Sequence, residues 1–113
     1  MNIGEKIDHT KFDKGHRPFE EMSEFVKIIS KNHKIWSWGT HAWTKMSKFC
    51  LRFKVTGHHH KGHVYIVLNV SDLFDVYFTT THGIIKKIEN DIYLEDFIDR
   101  LDIVIEKIDA YNR

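Results

Sequence analysis

The chain has 113 residues but only one cysteine and one proline. With Cys50 alone, no intrachain disulfide can form, so the fold has to be held by its own core, and a reducing compartment is the expected setting. No apolar run approaches the ~20 residues that a membrane helix needs. The opening MNIGEKIDHTKFDK is charged throughout and has no apolar centre, which argues against a secretory signal. These gaps predict a cytoplasmic protein without a membrane partner. Hydrolytic triads, phosphate-cradling glycine loops and nuclease-type carboxylate sets are also missing. The expectation is therefore a non-enzyme that needs no cofactor. The most unusual gap concerns charge: no acidic residue occurs between Glu24 and Asp72.

What fills that gap is basic. Lys27, Lys31, Lys34, Lys45, Lys48, Arg52, Lys54 and Lys61 lie there, with six of the nine histidines. The last third reverses the sign, with Asp91, Glu95, Asp96, Asp99, Asp102, Glu106 and Asp109 on or near one expected helix. The formal net charge of +1 conceals this segregation, which sets opposite fields on different elements. A plainer account is that the two faces offset each other in the fold, or are simply solvated.

Periodicity predicts one α+β domain over 17–113, preceded by a loosely held tail over 1–16. Pro18 suits a first helical position, and Phe19, Met22, Phe25, Val26 and Ile29 follow at helical spacing, so a helix is expected over about Pro18 to Lys31. Trp36 and Trp38 alternate with Ser37 and Gly39, which suits a short strand. Three alternating runs then predict a meander. In the first, Phe49, Leu51, Phe53 and Val55 point inward, and Lys48, Cys50, Arg52 and Lys54 outward. In the second, Val64, Ile66, Leu68 and Val70 point inward and Tyr65 outward. In the third, Phe74, Val76 and Phe78 point inward, and Asp75, Tyr77 and Thr79 outward. A weaker strand over about 83–89 extends this to an antiparallel sheet of three to four strands. The stripe Leu94, Phe97, Ile98, Leu101, Val104, Ile105 and Ile108 predicts an amphipathic C-terminal helix from about Tyr93 to Tyr111.

The run LRFKVTG, a polar turn, VYIVLNVSDLFDVYF and then IYLEDF resembles a loose group of small uncharacterised phage and mobile-element proteins. Val64, Ile66, Leu68, Asn69, Asp72, Asp75, Val76, Phe78 and Tyr93 carry the likeness, and Phe74 stands where that pattern has a tyrosine. The resemblance covers roughly the C-terminal half. It implies a phage or mobile-element origin and brings no catalytic residues with it.

Three groups of residues could carry chemistry. His58, His60 and His63, with His59 beside them, are candidate metal ligands on a hairpin turn, although no cysteine pair or ordered carboxylate accompanies them. A surface turn is the simpler reading. Cys50 between Lys48 and Arg52 is either an activated thiol or a passive buried one. The third group is the outward sheet face, with Lys48, Arg52 and Lys54 on one strand and Tyr65 and Tyr77 on the next two. It pairs cations for phosphate with flat rings for bases. The alternative is that the tyrosines are cross-strand pairs and the tryptophans core. The expected function is a non-enzymatic module that binds nucleic acid or a nucleotide through that face. The competing expectation is a phage-encoded module that binds a host protein, such as an anti-CRISPR or another inhibitor of a host defence protein.

Overall fold

A computed structural model of the chain describes residues 1–57 and 59–105. Its elements in order are β1 (His16–Arg17), α1 (Met22–Ile29), α2 (His33–Ser37), β2 (His41–Ser47), β3 (Cys50–Thr56), β4 (Lys61–Asn69), β5 (Phe74–Thr79), β6 (Ile85–Ile92) and α3 (Phe97–Ile105). The class is α+β. The antiparallel sheet has six strands, two more than the longest expectation, in the order β2-β3-β4-β5-β6, with β1 also on β4. Cys50 pairs with Val67, and β1 then takes over the β4 edge at Leu68 and Asn69. The expected last turns of the C-terminal helix, with Ile108, Glu106 and Asp109, lie outside the described residues.

The alternation read for the three central strands sets the helix-side core. Leu51, Phe53, Val55, Val64, Ile66, Phe74, Val76 and Phe78 pack against Phe25, Ile29, Trp38, Phe97, Leu101 and Ile105. Residues of opposite parity form a second core on the other face, where Cys50, Tyr65, Val67 and Tyr77 pack with Phe12 and Ile85. The expected loose tail over 1–16 supplies that cover. Asp8 caps a 3₁₀ turn over His9–Asp13, which drives the fully buried Phe12 onto Tyr77, ring centroids 5.2 Å apart. The segment is anchored by backbone bonds from Gly4 and Ile7 to the Ile85 and Gly83 carbonyls, each 2.8 Å. Both faces of the central strands are therefore dry, which explains why every residue of β5 is buried.

Other expectations are corrected. The first helix begins at Met22, because Phe19 donates its N–H to the Lys48 carbonyl at 2.7 Å and so continues the extended path of β1. Trp36 and Trp38 belong to a helical turn, not a strand, since Asn32 caps that turn by accepting from the Lys34 N–H at 2.9 Å. Phe49 sits in the turn before β3 and packs in the second core, while Val70, expected inward, is exposed.

One buried polar junction fixes the far end of the sheet. Asn69 Nδ2 donates to Asp75 Oδ1 at 3.0 Å and to Asp91 Oδ1 at 2.8 Å, and its Oδ1 accepts from the N–H groups of Ser71 and Leu73. Asp75 Oδ1 also accepts the Asp91 N–H at 3.0 Å, across an irregularity in the β5–β6 register. Asp91 adopts a left-handed φ of 56° there, tolerable for an aspartate with a local hydrogen bond. Asn69 thus ties β4, β5 and β6 together with its own polar atoms satisfied.

If residues 1–16 are part of the fold, Phe12→Ala and Leu101→Ala should both destabilise, by ~3–5 and ~2–5 kcal/mol respectively. Thermal melts followed by circular dichroism test this. An unchanged melting temperature for Phe12→Ala would show that the tail does not cover the sheet in solution.

Candidate anion-binding site

The face expected to bind nucleic acid is divided by Phe12. Tyr65 is only 5% exposed and Tyr77 only 9%, so neither ring offers a stacking surface. The reason is the apolar demand of that face: Cys50 and Val67 flank the rings, and water is excluded by one covering segment. Lys48 falls on the turn before β3, its Nζ 5.3 Å from the Phe49 ring centroid. It sits at the end of β3 remote from Lys54, so the expected row of three cations does not form. Trp38 is buried and donates Nε1–H to Asp102 at 2.9 Å, and Trp43 stacks on Phe53 at 4.4 Å. Trp36 alone among the tryptophans stays well exposed.

Arg52 and Lys54 remain, and the register gives each a basic or polar neighbourhood. Lys54 lies between His41 on β2 and His63 on β4, and Arg52 between Thr44 and Tyr65. Where the covering segment stops short of this end of the sheet, a cavity of about 350 Å³ opens. Arg52, His63 and Tyr65 form its sheet wall. Lys6, Ile7, Asp8 and His9 of the N-terminal segment form a second wall, and Thr81, His82 and Gly83 of the β5–β6 turn a third. Arg52, Tyr65 and, as a metal candidate, His63 are marked by the sequence, whereas Lys6, His9 and His82 are not. They come from segments distant in the chain, and only the docking of residues 1–13 brings them together.

The electrostatics of this cavity are one-sided. Among the described residues, no ion pair engages Arg52 or Lys54. Arg52 Nε is buried and meets no hydrogen-bond acceptor within the described protein, an arrangement that costs stability unless an acceptor arrives. Burial pushes the His63 imidazole below its ordinary range, and the Arg52, Lys54 and His60 charges push the same way. One carboxylate is present. Asp8 accepts from the Thr10 hydroxyl and backbone N–H, and these bonds hold it below the usual carboxylate range, ionised but occupied.

The described histidines of the turn diverge. His60 packs on Phe78 of the helix-side core, ring centroids 5.4 Å apart, whereas His63 faces the opposite side of the sheet with Tyr65. His58 lies outside the described residues. Among the described residues, no group of three His, Cys, Asp or Glu side chains is placed to hold a metal ion. Cys50 is fully buried and its thiol is pushed up to about 12 by burial, against a smaller opposing effect of Arg52. A thiol held that high is a packing group.

The chain matches no known protein family, no curated protein and no solved structure.

His60 and His63 give the fold a defined pH response. Burial lowers both, in His60 against the opposing effect of hydrogen bonds to the His63 and Thr79 carbonyls. The unfolded chain takes up these protons near pH 6.5 and the folded chain only at lower pH, so the unfolded state binds more protons in between. Stability should hold above about pH 6.5 and decline as pH falls below it. Urea midpoints from pH 7.5 to 5 should show the decline, and His60→Gln with His63→Gln should flatten it. An equally steep decline in the double variant would assign the response to other groups.

Proposed function

We propose that this protein is a non-enzymatic binding module that engages a phosphate-bearing partner, nucleic acid or nucleotide, through the cavity centred on Arg52. The observation that carries this reading is Arg52, in no ion pair among the described residues and lining a cavity walled by Lys6, His9, His63 and His82. A guanidinium is suited to phosphate because its planar donors match two oxygens at once. Lys54, paired with His63 across β3 and β4, extends the positive field along the end of these strands. With Tyr65 and Tyr77 buried, base stacking drops out and recognition falls to phosphate contacts, which do not discriminate sequence. Weak base preference and strong salt dependence are the expected signature. The likeness of the C-terminal half to small phage proteins supports a mobile-element origin for such a module.

A second reading, a module that docks on a host protein such as a defence component, is favoured by a different observation. Ile28 and Leu94 are large apolar side chains left exposed on one concavity, and such groups gathered on a surface mark interaction sites.

Fluorescence anisotropy with labelled single-stranded DNA and RNA, at several salt concentrations, tests the first reading. Arg52→Met should weaken binding at least tenfold while leaving the melting temperature unchanged or higher, since it removes a buried unpartnered donor. Asp8→Asn should tighten binding by removing the one carboxylate in the wall. No binding by the parent at low salt, or full binding by Arg52→Met, would move the weight to the protein-docking reading.

A further inference from the structure

A second concavity, of about 380 Å³, lies on the helix side of the sheet, across the molecule's thickness from Arg52. Its floor is aromatic. Phe19, Phe25 and Phe74 pack with ring centroids 4.9–5.6 Å apart, and Phe97 closes beneath Phe25 and Phe74 at 5.0 and 5.4 Å. One lip carries Glu20, Glu21 and Glu24. Ile28, 51% exposed, continues that lip one helical turn beyond Glu24, and Leu94, 45% exposed, faces the cavity from the other side. We propose that this groove docks a partner protein through a lysine or arginine side chain flanked by apolar residues.

The charge pattern selects the occupant. An aromatic floor alone would take any hydrophobe. Three carboxylates on one lip repel an anionic segment and favour a cation beside them, since Phe19, Phe25 and Phe74 are themselves buried and offer no open ring face. The cation already at the groove, Arg17, is spent on Asp72 at 2.7 Å. Glu20 and Glu21 enter no ion pair among the described residues, and Glu24 meets only the exposed Lys27, at 3.7 Å. The groove is pre-formed, because Phe19 is fixed by its backbone bond to Lys48 and by the rings around it. A rigid, partly apolar concavity with convergent charge is the usual form of a recognition site. The proposal does not rest on the Arg52 cavity, which lies on the opposite sheet face.

The probe is a fluorescein-labelled peptide of alternating leucine and arginine, measured by anisotropy beside a leucine–glutamine peptide of the same length. The parent should bind the arginine peptide at least tenfold more tightly than the glutamine one. Glu20→Gln, Glu21→Gln and Glu24→Gln together should remove that preference, and Ile28→Ser should weaken binding with the melting temperature retained. Arg52→Met should leave peptide binding intact, which separates this groove from the anion cavity. Absence of binding, equal binding of the two peptides, retained preference in the triple variant, or loss in Arg52→Met would each overturn the proposal. So would concentration-dependent self-association that the peptide does not compete with, since a second copy would then own the groove.

Discussion

The contact of Phe12 with the back of the sheet sets the conditions for the rest of the molecule. The central strands are apolar in both parities: Val64 and Ile66 on one side, Tyr65 and Val67 on the other. Helices cover only the first side. Without a second cover, Cys50, Tyr65, Val67 and Tyr77 would meet water, at ~25 cal/mol per Å² of apolar surface. The N-terminal segment meets this demand with Phe12 and, at the margin, Ile7, held in place by a capped 3₁₀ turn and a few backbone bonds. Such a cover is narrow, so it leaves the end of the sheet nearest Lys54 open. The Arg52 cavity is where the strap runs out.

That geometry also decides what becomes of the segregated charge. Arg52 and Lys54 share sheet parity with residues that must be buried, so they cannot move to the helix side without turning the core outward. They gather at the uncovered end, where Asp8 is the one carboxylate in the cavity wall and is held by Thr10, while Asp75, on the same face, is committed to Asn69 and lies 3.5 Å from His16. The acidic C-terminal helix is partly spent within the fold. Asp99 meets Lys34 at 2.8 Å, Asp102 accepts from Trp38, and Arg100 within the same helix meets Glu89 at 2.9 Å. Exposed pairs of this kind add little stability.

Alternation in Leu51–Val55, Val64–Leu68 and Phe74–Phe78 marks the three central strands, their antiparallel sense and their helix-side core, because the more apolar parity leaves a period of two, whereas β1 and β2 carry no such signal and the sheet has six strands. Within the strands the helix-side face agrees with that period, Phe49 and Val70 at the strand ends depart from it, and the cover of the other face leaves no such mark. Phe12 is a single aromatic among HTKFDK, and one residue has no period. A clue was present in Tyr65, Val67 and Tyr77, whose outward positions are too apolar for a solvated face, and that excess demands a partner segment. The cavity walls resisted for a related reason: Lys6, His9 and His82 join Arg52 only through contacts between distant parts of the chain. Trp36 and Trp38 misled because a two-residue alternation is equally compatible with a short capped helix, and Asn32 decides between them.

Residues 12–19 then take on more than a strand of two residues would suggest. Phe12 closes the back of the sheet, His16 and Arg17 pair with Asn69 and Leu68, and Phe19 crosses to the helix side to floor the acidic groove. The His16 ring packs on Phe12 at 5.2 Å, and its Nε2 lies 3.5 Å from Asp75, which Asn69 holds in turn. One continuous stretch therefore has its position fixed by the buried polar junction and hands that position on in both directions, to the strap that bounds the Arg52 cavity and to the ring that floors the groove. A local loosening of β1 would disturb both surfaces together, although they share no side chain and face opposite sides of the sheet. The burial of Asn69 and Asp75 is the reason this short strand can be rigid. Two backbone pairings alone would fray, while a satisfied polar network in a dry setting admits few alternative arrangements.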